Sequence, residues 1–108
     1  MASFLKTQAV RSKRHLMNVA ALDCQHCGMA GHTQAAHSNQ GIHGKSMARK
    51  ADDQYTAALC QYCHAEIDQG AHLSKQQRQQ MWTDAWISTA KELINRNQWN
   101  FEIPEEMK

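Results

Sequence analysis

The feature that most restricts this chain is a pair of C-x-x-C sequences. Cys24 and Cys27 stand in DCQHCG, Cys60 and Cys63 stand in LCQYCHAEID, and 32 residues separate Cys27 from Cys60. Zinc takes a tetrahedron of thiolates, and a C-x-x-C turn delivers two sulfurs to one ion without straining the backbone, so two such turns complete a shell. Four thiolates make a closed, structural site rather than an open, catalytic one. The separation exceeds the roughly 15 to 20 residues of an ordinary zinc ribbon, which means that something is inserted between the knuckles. Two readings compete with zinc. A pair of disulfides suits an oxidising compartment, and a redox C-x-x-C wants an alternation of strands and helices that the chain lacks.

A staple of this kind is needed. The 108 residues suffice for one domain, 1–108, with 1–10 and 99–108 expected as loose ends, and a composition 42% hydrophobic but only 6% aromatic predicts a thin core. No run approaches the roughly 18 apolar residues of a membrane span, and MASFLKTQAVRSKRH lacks an apolar signal core. The expectation is therefore a cytoplasmic protein with reduced cysteines and no membrane partner. Its net charge of +2 conceals an asymmetry: residues 1–50 carry a net +6, and residues 51–108 a net −4. A positive half suits a polyanionic partner, and RSKRH (11–15) is its densest part; a solvated basic tail is the plainer alternative.

Hydrophobic spacing places Leu16, Val19, Ala20 and Leu22 on a short helix leading into the first knuckle. The knuckle CQHCGMAG reads as a tight turn, with Gly28 and Gly31 at its bends. A strand within 32–39, a functional loop over 40–53 carrying Lys45, Arg49 and Lys50, and a second strand over 54–60 follow. A helix then runs from Cys60 to about Gly70. Ser74 and Gln77 form a capping-box signature for a long helix, whose stripe of Trp82, Ala85, Trp86, Thr89, Ala90 and Leu93 is expected to face the core. On the helix after Cys60, successive side chains point about 100 degrees apart, so Cys63 aimed at zinc leaves His64 aimed elsewhere, with Asp68 four residues on and on the same face.

The order AHSN, a basic glycine-containing loop ending in KADD, then LCQYCHAEID resembles the HNH (ββα-metal) endonucleases, and within them the small YbcO-type nucleases of phages and prophages. The likeness covers about residues 11 to 95. RSKRHLMNVAALDCQHCG also looks like the start of related phage recombination nucleases. The resemblance implies an α+β fold: a small zinc-stapled HNH-like ββα-metal domain with flanking N-terminal and long C-terminal helices. It implies a metal-dependent DNA endonuclease of recombination or DNA processing in a bacterial host cytoplasm. His37 occupies the place of the general base, and Asp53 the place of the middle polar residue, with Asp52 its near rival. His64 takes the place of a ligand to a catalytic Mg²⁺ or Mn²⁺, with Asp68 beside it, while Cys24, Cys27, Cys60 and Cys63 hold structural zinc. Arg11, Lys13, Arg14, Lys45, Arg49 and Lys50 would grip the DNA backbone without reading bases.

One departure from the pattern is Ala36, where many family members carry a metal-binding Asp or His directly before the base. His43, Asp53, Asp68 and His72 are the residues that could replace it. His15, His26 and His32 read as surface or knuckle-adjacent residues, and Asp52 as a helix or turn cap. A nuclease with one active site would nick single strands, so double-strand cutting would call for a homodimer, and a recombination protein is the other partner considered. Two different readings compete with the enzyme. A non-catalytic zinc module binding nucleic acid or protein would explain the knuckles and the basic half, but would give His37, Asp53 and His64 no joint role. An accessory protein whose nuclease fold has lost activity would fit Ala36.

Overall fold

The computed structural model describes residues 9–46 and 49–107. The first helix, α1 (Lys13–Ala20), starts at Ser12, whose hydroxyl accepts the His15 N–H and so satisfies one of the donors that every helix start leaves over. Its buried residues are His15 and Val19, four apart on one face. The first knuckle follows as a closed turn. The Cys24 N–H donates to Met29 O and the Gly28 N–H to Cys24 O, each at 2.9 Å, while Gly28 and Gly31 take φ of +85° and +82°, which a side chain would oppose.

Strand β1 (Thr33–His37) leaves the knuckle and pairs antiparallel with β2 (Thr56–Cys60), the register running from Thr33 opposite Cys60 to His37 opposite Thr56. The segment between the strands contains a short 3₁₀ turn, Gly41–His43. β2 enters α2 (Gln61–Gln69) directly, with Cys60 as its N-cap; a cap that accepts the Cys63 N–H through sulfur joins the second knuckle to the helix start. The long helix α3 (Lys75–Asn95) begins with the expected capping box, Ser74 and Gln77 each bonding the other's backbone N–H. It ends where Asn97 takes φ of +57° and the Gln98 N–H reaches back to Leu93 O at 2.8 Å, a left-handed C-terminal cap with asparagine in the usual glycine place. The described residues thus form an α+β fold of three α-helices and a two-stranded sheet.

α3 packs on β2, which is buried along all five residues. Its buried positions are Trp82, Ala85, Trp86, Thr89, Ala90 and Leu93, the whole of the apolar stripe. The core has two parts. Trp82, Trp86, Leu59, Ile67 and Ala36 pack with Cys24 and Cys60 in one, and Val19, Leu22, Ala58 and Leu93 in the other. Both indole N–H groups of the first part are satisfied by carbonyls, Trp82 by Ala36 O and Trp86 by Gln54 O, each at 2.9 Å.

Two expectations are corrected. Residues 99–107 are not a loose end: Trp99 and Phe101 meet the His15 ring edge-on, with centroids 5.5 and 4.9 Å away, Pro104 is buried, and Glu105–Met107 forms a 3₁₀ turn, while Lys108 lies outside the described residues. For the same reason His15 is not a surface residue; it is 3% exposed, under aromatic rings from the other end of the chain. Of the expected N-terminal loose end, residues 1–8 lie outside the described residues, whereas Val10 is tied to the body by its N–H donating to Asp52 Oδ1 and its carbonyl accepting the Asp53 N–H. No helix among the described residues is long and apolar enough to cross a membrane.

Candidate active site and metal centre

The four cysteine sulfurs lie within 4.8 Å of one another, and Cys27 Sγ stands 3.7 Å from Cys60 Sγ. With zinc–sulfur bonds of about 2.3 Å, the edge of a tetrahedral shell is about 3.8 Å, so the donor set has the right chemistry and the right size. Backbone N–H groups already point at the sulfurs: His26 and Cys27 donate to Cys24 Sγ, and Cys63 to Cys60 Sγ. Burial alone would push the Cys24 thiol up, but the N–H groups of Cys27, Cys60 and His26 outweigh it and hold the group at about 6. Cys63 is driven the other way, first by burial and then by its three sulfur neighbours. Four thiols crowded together cannot all ionise unless a cation compensates them, and a divalent metal removes that conflict.

Side chains alternate across β1. Ala35, opposite Ala58, joins the cluster of Val19 and Leu22 under α1, whereas Ala36, opposite Ala57, joins that of Ile67 and Trp82. His37 therefore shares the α1 face with Ala35, and Gln34 shares the α2 face with Ala36.

On the α1 face, His37 Nε2 lies 2.8 Å from Asp53 Oδ1. Asp53 is 2% exposed and accepts two further donors, the Ser12 N–H at 2.7 Å and Arg11 Nη1 at 3.4 Å. Burial would push its carboxyl up, but His37, Ser12 and Arg11 together hold it below the usual carboxylate range. An ionised carboxylate only accepts, so Nε2 carries the proton of a neutral His37 and Nδ1 is its basic nitrogen. Such an imidazole is oriented and half-buried, with its basic nitrogen fixed by a charge behind it.

On the α2 face, His64 Nε2 lies 3.2 Å from Asp68 Oδ2, and Gln34 Oε1 accepts from His64 Nδ1 at 2.8 Å. With Nδ1 donating, a neutral His64 turns the lone pair of Nε2 towards a carboxylate oxygen. Two acceptors that close require a proton or a cation between them, and adjacent ligands of a small octahedral ion are separated by about 3 Å. Asn39 Nδ2 holds the other oxygen of Asp68 at 3.0 Å. Gln34 and Asn39 thus orient the pair, and sequence reasoning missed both: an amide beside a strand carries no signal of what it will hold.

The two pairs do not merge into one ligand set. No hydrogen bond among the described residues joins His37–Asp53 to His64–Asp68, and the cysteines are the one group of three or more potential ligands brought together there. What the pairs share is β1 and its exit, which supply Gln34, His37 and Asn39. The other residues considered for Ala36's place are occupied differently. His43 is buried, bonded to the Ser38 hydroxyl at 2.7 Å and stacked on Tyr55, while exposed His72 pairs with Glu66 at 2.6 Å. Asp52 accepts from Val10 N and Arg49 Nη2, so instead of capping a turn or helix its side chain ties residue 10 to this segment.

The basic residues divide as well. Lys13, Arg14 and Lys50 are exposed. Arg11 instead bonds the carbonyls of Lys50 and Ala51 in addition to Asp53, Arg49 pairs with Asp52, and Lys45 Nζ donates to Ser46 O. The chain matches no family model, no curated protein and no solved structure.

Proposed function

We propose that this chain is a metal-dependent DNA endonuclease of the HNH type, with phage or prophage recombination as its setting, and that a phosphodiester lies at the exit of β1, where His37 ends the strand and Asn39 holds Asp68. The observation that carries the reading is the His37–Asp53 contact, because a buried, ionised carboxylate behind a half-buried imidazole fixes the tautomer that a general base needs. His37 Nδ1 takes the proton of the attacking water. Asp53 stabilises the imidazolium that results and, through Ser12 and Arg11, ties it to the start of α1. His64 and Asp68 would hold Mg²⁺ or Mn²⁺, oriented by Gln34 and Asn39, and that ion when bound supplies charge stabilisation to the phosphate and the leaving oxygen. Lys13, Arg14 and Lys50 attract the strand backbone without selecting sequence.

The test is plasmid nicking by the zinc-loaded protein with no added metal, with Mg²⁺ and with Mn²⁺. Cutting is expected only with added metal, and His37→Ala should abolish it while retaining zinc. Absence of cutting of both plasmid and single-stranded DNA would overturn the nuclease reading in favour of a binding module. The exposed basic side chains are what favours that second reading.

A further inference from the structure

Beside the His64–Asp68 pair, between the exit of β1, α2 and the first turns of α3, lies a cleft of about 180 Å³ that the hydrolytic reading does not use. Its apolar lining is Ile67 and Trp82, the indole held in place by its bond to Ala36 O. Its polar lining is three primary amides, Asn39, Gln40 and Gln79, with two cations, Lys75 and Arg78. Arg78 donates to Ile67 O through Nη1, and its Nε is buried without a hydrogen-bond partner. An apolar floor formed by the edges of buried Ile67 and Trp82, amides offering donors and acceptors, and cations for an attached phosphate together match a nucleotide better than a lipid or a peptide. Asn39 makes the cleft continuous with the candidate cation pair, since the same side chain lines the one and bonds Asp68 of the other.

We propose that this cleft holds one unpaired nucleobase of the DNA strand that passes His64 and Asp68, with Lys75 and Arg78 meeting the phosphate attached to that base. The inference rests on the reading of a DNA strand at the exit of β1, but not on hydrolysis. A base inside a duplex is stacked and paired and cannot enter, so the preferred substrate class is DNA with an unpaired nucleotide: a bulge, a gap or a branch.

The experiment is equilibrium binding by the zinc-loaded full chain, without added Mg²⁺ or Mn²⁺. Three fluorescent DNAs are compared: a duplex with one bulged base, the same duplex with an abasic residue at the bulge, and the fully paired duplex. The bulged base should bind roughly fivefold or more tighter than either control, as expected for one sequestered base. Gln79→Phe, which fills the cleft, should remove that preference. The indole N–H resonance of Trp82 in the unaltered protein should shift with the bulged DNA and not with the abasic one, a readout that requires no variant. Equal binding of bulged and abasic DNA would overturn the proposal and leave an anion site only, as would an unmoved Trp82 resonance. Because binding is read without the divalent ion, the preference can hold when plasmid nicking fails, and nicking can succeed when the preference is absent.

Discussion

His37 and Asp53 stand 16 residues apart in sequence and 2.8 Å apart in space, and that contact joins the end of β1 to the turn that precedes β2. Because Ser12 and Arg11 bond the same carboxylate, the start of α1 is held by the same group.

Asp53→Asn should therefore have two separable effects. The amide can turn its own N–H towards His37 and favour the wrong tautomer, so nicking should fall by about 10²- to 10⁴-fold. Stability should also change its dependence on acid. Since the folded Asp53 titrates below its unfolded value of about 3.9, its contribution is fully present above that value and is lost as pH falls through the folded one. Urea midpoints from pH 7 to pH 3 should show a steeper acid decline in the parent protein than in Asp53→Asn. Zinc release is common to both proteins and cancels in the difference.

Metal analysis of the protein purified without chelator should give one zinc per chain, and Cys60→Ala should lose it. Structural zinc in small domains contributes about 10–16 kcal/mol of apparent binding energy at pH 7, so chelation should abolish the cooperative thermal transition seen by circular dichroism. An unchanged transition after chelation would mean that the core stands without a metal.

His15 supplies a different pH dependence. Burial under Trp99 and Phe101 holds its pKa below the usual 6.5, and the nearby Asp53 charge only partly opposes that. The unfolded chain then binds a proton more readily than the folded one, so stability is complete above 6.5 and falls as pH drops from 6.5 towards the folded value. His43, also lowered by burial, acts in the same direction. His15→Phe should flatten, without removing, the loss of stability between pH 7 and pH 5. Trp fluorescence during urea unfolding is a suitable monitor.

Replacing Lys13, Arg14 and Lys50 together by glutamine should weaken DNA binding and reduce the slope of log affinity against log salt by up to about 3, since each phosphate left without its cation accounts for about 0.9. Arg11→Gln should behave otherwise. Its guanidinium bonds Lys50 O, Ala51 O and Asp53, so the change should appear mainly in the unfolding midpoint.

Much of the scaffold was legible in the sequence because local rules determine it. The Ser74–Gln77 capping box, the α3 stripe and the helix following Cys60 depend on neighbours three or four residues away, and each forms where the spacing predicts it. The four-cysteine cluster was legible because C-x-x-C spacing is itself a geometric statement. His15 was not, since its burial is decided by Trp99 and Phe101 from the far end of the chain. The division of the site across β1 was equally hidden. A period of two places His37 and Gln34 on opposite faces once the register is known, and no pattern within TQAAH reveals which face meets which helix. The engagement of Arg11 and Arg49 within the protein depends on the fold of 49–53 against residues 10–12, which their charge alone does not announce.

The thiolate cluster also has a topological consequence. A metal held by all four sulfurs would join Cys27 to Cys60 and close a ring of chain that contains the whole excursion between the strands. Closure entropy grows only logarithmically with ring size, about 0.6 kcal/mol for each doubling, so the stretch between Gly44 and Lys50 could be lengthened or exchanged at little cost while His37 and Asp53 keep their anchor points. With the metal in place the fold would behave as a cassette, a fixed chemical frame carrying an exchangeable strap.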